Sequence, residues 1–357
     1  MTNGAGLSAR LADASVVLCA GTGGVGKTTV AAAIGVHAAM AGRRAVVITV
    51  DPARRLADAM GIELSNEPQV VVGEWPGELS ALMLDAKQTF DELVVREAGD
   101  DEQAEHILTN RLYQNISGVL SGTQEFMANE KLFELYGSGA FDVIVVDTPP
   151  TRNALDFLEA PEKLVRFLDG TLMRLMFPRQ IRRAVNAGLR LMLRQVSSVV
   201  GSRIVDDGVA FLNAFQGMED GFRQRAHDVN DLLASKKTAV VLVTSPRHDT
   251  VPETRWFADQ VANRGLRVAG LVINRTYPSF SDRPIDELVE LWDAHADDAL
   301  ASAFAVLVDG QSVVADEHEA TAELGVVTSA PIVHVPLLDR DVRDLDSVAE
   351  VARYLGA

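Results

Sequence analysis

Apolar positions recur along this chain in two alternating rhythms: short unbroken runs rich in β-branched residues, and longer stretches in which polar residues fall on one side. The runs Ser15 to Ala20, Ala45-Val46-Val47-Ile48-Thr49-Val50, Phe141 to Asp147, Ala239 to Thr244, Val268 to Arg275 and Pro331 to Pro336 predict strands buried on both faces. A further strand is expected near Leu79 to Leu84. Between these runs, helices are predicted over Thr29 to Ala41, Arg54 to Met60, Asp85 to Ala98, Glu102 to Ser117, Thr123 to Tyr136, Glu253 to Arg264, most of Pro284 to Glu323, and Asp346 to Tyr354. Such alternation requires an α/β fold with a mostly parallel sheet flanked by helices. From Pro161 to about Ser235 the pattern is helical throughout, and Ile181, Val185, Leu189, Met192, Val196 and Val199 form one apolar stripe. The expected organisation is an N-terminal tail over 1–14 and one domain over 15–357. A helical insertion subdomain is expected at about 155–235, together with part of 85–135.

One stretch gives this scaffold its chemistry. Gly21-Thr22-Gly23-Gly24-Val25-Gly26-Lys27-Thr28 fits G-x-x-x-x-G-K-[ST] between a predicted strand and a predicted helix that opens near Thr29, which is the context of a phosphate-binding P-loop. Glycines let backbone N–H groups wrap around phosphate oxygens, and the helix adds its positive dipole end. Lys27 is placed to reach the β- and γ-phosphates, and Thr28 to offer a hydroxyl to Mg²⁺. Asp51 and Asp147 each end a strand, where doubly wound sheets bind their ligands. Asp51 is therefore a candidate to orient the attacking water or a water on Mg²⁺, and Asp147 to hold the Mg²⁺ shell. The two prolines of Thr148-Pro149-Pro150-Thr151 stiffen a loop suited to sensing a γ-phosphate. Asn274, at another strand end, can offer both a donor and an acceptor to a purine edge.

Charge and cysteine content narrow the range of functions. A formal net charge of -17 excludes sequence-independent DNA binding as the main activity, so no nucleic acid partner is expected. Lys163 to Arg203 departs from this, with nine basic residues against the single acid Asp169, a face suited to an acidic partner or an anionic membrane surface. Met173, Met176, Met192 and Met218 read mainly as core filling, as does His37 on the helix after the loop. The lone Cys19 rules out an internal disulfide and a cysteine metal site formed by this chain alone, and its strand position predicts a buried residue. No basic segment followed by an apolar one precedes the P-loop, so a cytoplasmic location is expected.

The order of Gly21 to Thr28, Asp51-Pro52-Ala53, Asp147-Thr148-x-Pro150-Thr151, the helical insertion, Val272-Ile273-Asn274 and Pro336-Leu337-Leu338 resembles the ArsA-type ATPases. That family includes the arsenite pump ATPases and the ATPases that guide tail-anchored proteins, within the deviant Walker A group of P-loop proteins. The resemblance implies Mg²⁺-dependent ATP hydrolysis at a dimer interface, coupled to an exported anion or a hydrophobic membrane segment. By position it implies Asp51 as the switch I acid and Asp147 to Thr151 as switch II. It also implies nucleotide contacts from Gly21 to Thr29 and from Asn274, Pro336, Leu337 and Leu338, with Asp339 closing that loop. The signature lysine of the family falls at Thr22, which implies slow turnover or a paralogous partner that supplies the lysine. Arg54, Arg55 and Arg152 flank the same site. Neither the cysteine cluster of arsenite binding nor a CxxC zinc clasp is present. Two other readings stay open: a partition-type ATPase, and a nucleotide-gated binding protein with little hydrolysis.

Overall fold

The computed structural model describes residues 6–51, 55–110, 113–114, 124–149, 151–169, 218–247, 249–295 and 299–356. The stripe from Ile181 to Val199, Met173, Met176, and most of the basic stretch lie outside these residues. Strands β1 (Val16–Gly21), β2 (Arg44–Thr49), β3 (Gln69–Val71), β4 (Glu78–Met83), β5 (Val143–Asp147), β6 (Thr238–Thr244), β7 (Val268–Thr276) and β8 (Ile332–Pro336) form one sheet. Its order is β3-β4-β2-β5-β1-β6-β7-β8. Each neighbouring pair is parallel except β3 with β4. The register pairs Asp147 at the end of β5 with Cys19 of β1 on one side and Thr49 of β2 on the other. Parallel pairing thus aligns the carboxyl ends of β1, β2 and β5 along one edge, which is where the loops with chemistry emerge.

The chain forms two compact units. The first, Met1–Met83, Ser138–Ala154 and Ala234–Ala357, contains the sheet. Its helix α2 (Lys27–Met40) packs closely because Ala31, Ala32, Ala33 and Ala39 are fully buried and Gly35 leaves no room for more. A Cβ at Gly35 would lie 2.5 Å from Val47 Cγ2. Helix α12 (Leu345–Leu355) buries Val348, Val351, Ala352 and Leu355, each Val or Leu contributing about 1.5–3 kcal/mol. Asp344 and Ser347 form a capping box at its start. His37 is half-buried and its Nε2 lies 2.9 Å from Ser8 Oγ, as a packed histidine would. Cys19 is fully buried.

Three elements differ from the sequence expectation. Part of the expected N-terminal tail is the short helix α1 (Leu7–Leu11), whose Leu7 is buried so tightly on β7 that a Cβ at Gly270 would meet it at 2.5 Å. β3 was not expected, since three residues with Val70 exposed carry no readable period. The helix predicted over Glu102 to Ser117 is interrupted at Thr109 and Asn110, with Tyr113 and Gln114 again helical and the rest of that stretch outside the described residues. Helix α5 (Asp101–Leu108) ends as the Thr109 hydroxyl bonds the Glu105 carbonyl (2.7 Å), and the Asn110 side chain accepts from Tyr113 N–H (3.3 Å) as the cap of the next helical turn.

The second unit, Leu84–Gly137 and Leu155–Leu233, is helical among its described residues. It contains α4 (Ala86–Glu97), α5, α6 (Gln124–Ser138), most of α7 (Thr151–Leu168) and α8 (Glu219–Ala234). Seven successive residues of α6, Phe126 to Leu132, are buried, so this stretch of the helix is enclosed on all sides. Three of them are polar. Glu130 accepts from Arg96 of α4 (3.1 Å) and Arg225 of α8 (Nε, 2.6 Å), while Lys131 pairs with Glu134 (3.2 Å) and Glu92 (3.6 Å). Asn129 solves a backbone problem. Pro161 inside α7 brings no N–H to the carbonyl of Phe157, and Asn129 Nδ2 donates to that carbonyl at 2.7 Å.

Candidate functional site

Between β1 and α2 the chain turns through two glycines with left-handed backbone, Gly24 (φ 80°) and Gly26 (φ 93°). Only glycine adopts these angles without strain. Gly26 is also the N-cap of α2 and offers no capping side chain, so the first N–H groups of the helix face the loop. A Cβ at Gly26 would come within 2.2 Å of Asn274 Nδ2. The sequence motif is thus folded as a glycine loop that opens onto the N-terminus of α2, with Gly26 required by its backbone angle and pressed by the Asn274 amide.

Lys27 is buried and donates from Nζ to the Thr22 carbonyl at 3.0 Å. Burial lowers its pKa, while Asp147 and Asp51 pull it back upward. Thr28 Oγ1 donates to Asp147 Oδ2 at 2.6 Å, and Thr49 Oγ1 donates to the same oxygen at 3.1 Å. Asp147 Oδ1 is buried without a hydrogen-bond partner. Burial pushes this carboxyl up to about 6, opposed by Thr28, Lys27 and Thr49. A carboxylate that is almost fully buried yet keeps one oxygen unsatisfied beside a threonine hydroxyl has the donor set of a cation site. The residues present fit Mg²⁺.

The other expected residues fall around this centre. Asp51 is half-buried, its backbone N–H donating to Thr49 Oγ1 at 3.3 Å, so Thr49 links the two acids. Thr148 donates its hydroxyl to the Cys19 carbonyl (2.8 Å), which ties the start of the following loop to β1. Thr29 lies half-buried in the first turn of α2. Leu337 follows β8 largely exposed, its N–H donating to the Thr276 carbonyl at 2.8 Å, and Leu338 packs against the core. Thr22 is buried and its hydroxyl has no partner. Pro52, Ala53, Arg54 and Pro150, and the side chains of Thr151 and Arg152, lie outside the described residues.

Two contributors carried no signal of their own in the sequence. Thr49 sits in an apolar run where threonine is an ordinary strand former. Arg275 has a left-handed backbone (φ 63°) and its Nη1 donates to the Gly24 carbonyl at 3.1 Å. Beside it, Asn274 is buried and donates from Nδ2 to the Val25 carbonyl at 2.8 Å.

The sequence model of the family described as anion-transporting ATPase, ArsA type, matches residues 14–301. Among curated proteins, the chain is 27% identical over 266 residues to "ATPase GET3" of Malassezia globosa, covering 73% of each. It is 26% identical over 264 residues to the "Arsenical pump-driving ATPase" of Acidiphilium multivorum, covering 72% of this chain and 39% of that protein. It is 30% identical over 153 residues to "ATPase get3" of Aspergillus terreus, covering 43% of this chain and 44% of the relative. The matched stretch is therefore less than half the length of the latter two relatives. The cradle of Gly21 to Thr28 and the buried Asp147 both fall within the matched residues, and the chain belongs to the ArsA-type family of anion-transporting ATPases.

Proposed function

We propose that this protein is a Mg²⁺-dependent ATPase that couples nucleotide binding and hydrolysis at a dimer interface to the handling of an anion or a hydrophobic, tail-anchored segment. The observation carrying the reading is the buried Asp147, with one oxygen on Thr28 and Thr49 and the other without a partner, beside a complete P-loop. The loop N–H groups and the N-terminus of α2 bind the phosphates, and Lys27 exchanges the Thr22 carbonyl for β- and γ-phosphate oxygens. Thr28 and Asp147, with Asp51 close by, would hold Mg²⁺, which when bound neutralises charge on those phosphates. Asp51 orients the attacking water and accepts its proton. Asp147 to Thr151 report the presence of the γ-phosphate to the residues that follow. Asn274, Pro336, Leu337 and Leu338 surround the nucleoside end.

The test is turnover of the full chain with Mg·ATP, alongside Lys27→Ala and Asp51→Asn, each expected to lower turnover by roughly a hundredfold. A wild-type protein that neither binds nor hydrolyses Mg·ATP refutes the proposal. Light scattering with Mg·ATP and Mg·ADP tests the dimer, which is expected to form with a second copy or with a paralogue. One observation favours the nucleotide-gated reading as the alternative. Position 22 is an uncharged threonine, buried within this chain, and it sends no cation toward a neighbouring subunit. Binding of Mg·ATP with no turnover, with and without a co-purified partner, selects that alternative.

A further inference from the structure

Two consecutive carbonyls of the phosphate loop are held from outside by two consecutive residues of β7. Asn274 Nδ2 donates to the Val25 carbonyl at 2.8 Å and Arg275 Nη1 to the Gly24 carbonyl at 3.1 Å. The backbone is adapted to this. The β7–β8 register shifts between Asn274 and Thr276, and Arg275 takes a left-handed φ of 63°, uncommon for a residue with a side chain. A non-glycine residue keeps such a conformation where its surroundings over-determine it, and such positions cluster at ligand clamps. The Asn274 amide is buried and presses so closely on Gly26 that no Cβ fits there.

We infer that Asn274 and Arg275 are positioning residues that aim the N–H groups of the phosphate loop. In a planar trans peptide the carbonyl and the N–H point in opposite directions. Holding the carbonyls of Gly24 and Val25 toward β7 therefore turns the N–H groups of Val25 and Gly26 to the other side, into the concavity of the loop. A hydrogen bond at a carbonyl also polarises the N–H of the same peptide and makes it a better donor. Arg275 adds a positive charge to that arrangement from outside the cradle, with its guanidinium still largely in solvent. This inference rests on the nucleotide-binding reading. It gives Asn274 a second task beside its place at the nucleoside end, and it predicts that the pair matters even to a ligand that has no base.

The experiment measures affinity of the full chain for Mg·ADP and for Mg·tripolyphosphate, which has no base, by titration calorimetry. The variants are Asn274→Ala, Arg275→Gly and Arg275→Lys. Glycine accepts the φ of 63° freely, so Arg275→Gly is expected to hold or raise the thermal midpoint of the ligand-free protein while removing the guanidinium. Asn274→Ala and Arg275→Gly are each expected to weaken Mg·tripolyphosphate roughly tenfold and Mg·ADP at least as much, with KM for Mg·ATP rising and kcat falling less than about threefold. Arg275→Lys is expected to recover part of the loss. Unchanged tripolyphosphate affinity with weakened ADP would overturn the inference, leaving Asn274 a nucleoside contact and nothing more. Unchanged affinity for both ligands overturns it as well. A wild-type chain that binds neither ligand overturns instead the nucleotide-binding reading beneath it, so the two failures are told apart.

Discussion

Asn129→Ala removes the donor that satisfies the Phe157 carbonyl, a group deprived of its helical partner by Pro161. Leaving a buried carbonyl without a partner costs about 1–3 kcal/mol. The same substitution deletes Asn129 Oδ1, which is buried without a partner and whose loss offsets roughly 1 kcal/mol of that. The net expectation is destabilisation of the helical unit by about 1–2 kcal/mol. Pro161→Ala supplies the missing N–H to Phe157 from within α7, and alone it is expected to be neutral or stabilising. In that background Asn129→Ala should cost little beyond its cavity, which is common to both backgrounds and cancels in the cycle. The coupling energy should therefore be about 1–2 kcal/mol. Because the chain has two compact units, a single unfolding free energy is poorly defined, and the readout is hydrogen exchange of α7 amides along a urea series. Equal cost of Asn129→Ala in both backgrounds would refute the reasoning, since the carbonyl would then not depend on this amide.

Three further outcomes follow from the geometry. Asp147→Asn takes a carboxylate with one unsatisfied oxygen out of a buried site, so ligand-free stability should hold or rise by about 1 kcal/mol while Mg²⁺-dependent turnover is lost; a drop in ligand-free melting temperature contradicts this. Thr49→Val deletes the hydroxyl shared by Asp147 and the Asp51 N–H, and should weaken Mg²⁺ dependence by roughly 10–100-fold at unchanged ADP affinity without metal; an unaltered Mg²⁺ titration argues against the link. His334 on β8 stacks edge-on to His318 of helix α11 (Ala301–Thr328) at 5.0 Å between ring centroids, and burial first, then His318, lowers its pKa. The unfolded chain therefore takes up protons more readily. Stability from the neutral ring is complete above about pH 6.5, the ordinary histidine value, and is lost as pH falls from there through the lowered folded value. Protection of the β8 amides, taken relative to their intrinsic exchange rates at each pH, should fall as pH falls through that window, and His334→Gln should flatten the dependence; an equal slope in both proteins rules the ring out.

The strands, the glycine loop after β1 and the acid at the end of β5 could be read directly, because each is a local signal. An unbroken apolar run predicts a doubly buried strand, and a glycine-rich loop between strand and helix has few other uses. β3 could not be read, since three residues on an antiparallel edge show no period. The break after α5 rested on two side chains, Thr109 and Asn110, taking backbone groups on either side of it, which propensity alone does not reveal.

What the linear order of residues determined by itself was therefore the α/β alternation, the position of the glycine loop between β1 and α2, and the family to which the chain belongs. Tertiary structure alone decided the partners. Strand order and register bring Thr49 to Asp147 across 98 positions of chain, and a register shift beside β8 turns Arg275 onto Gly24, 251 positions away. Burial likewise decided that Thr22 points inward and that one oxygen of Asp147 is left without a partner. Hydrogen bonds and desolvation depend on which atoms meet in space, and a one-dimensional pattern records periodicity but not those meetings.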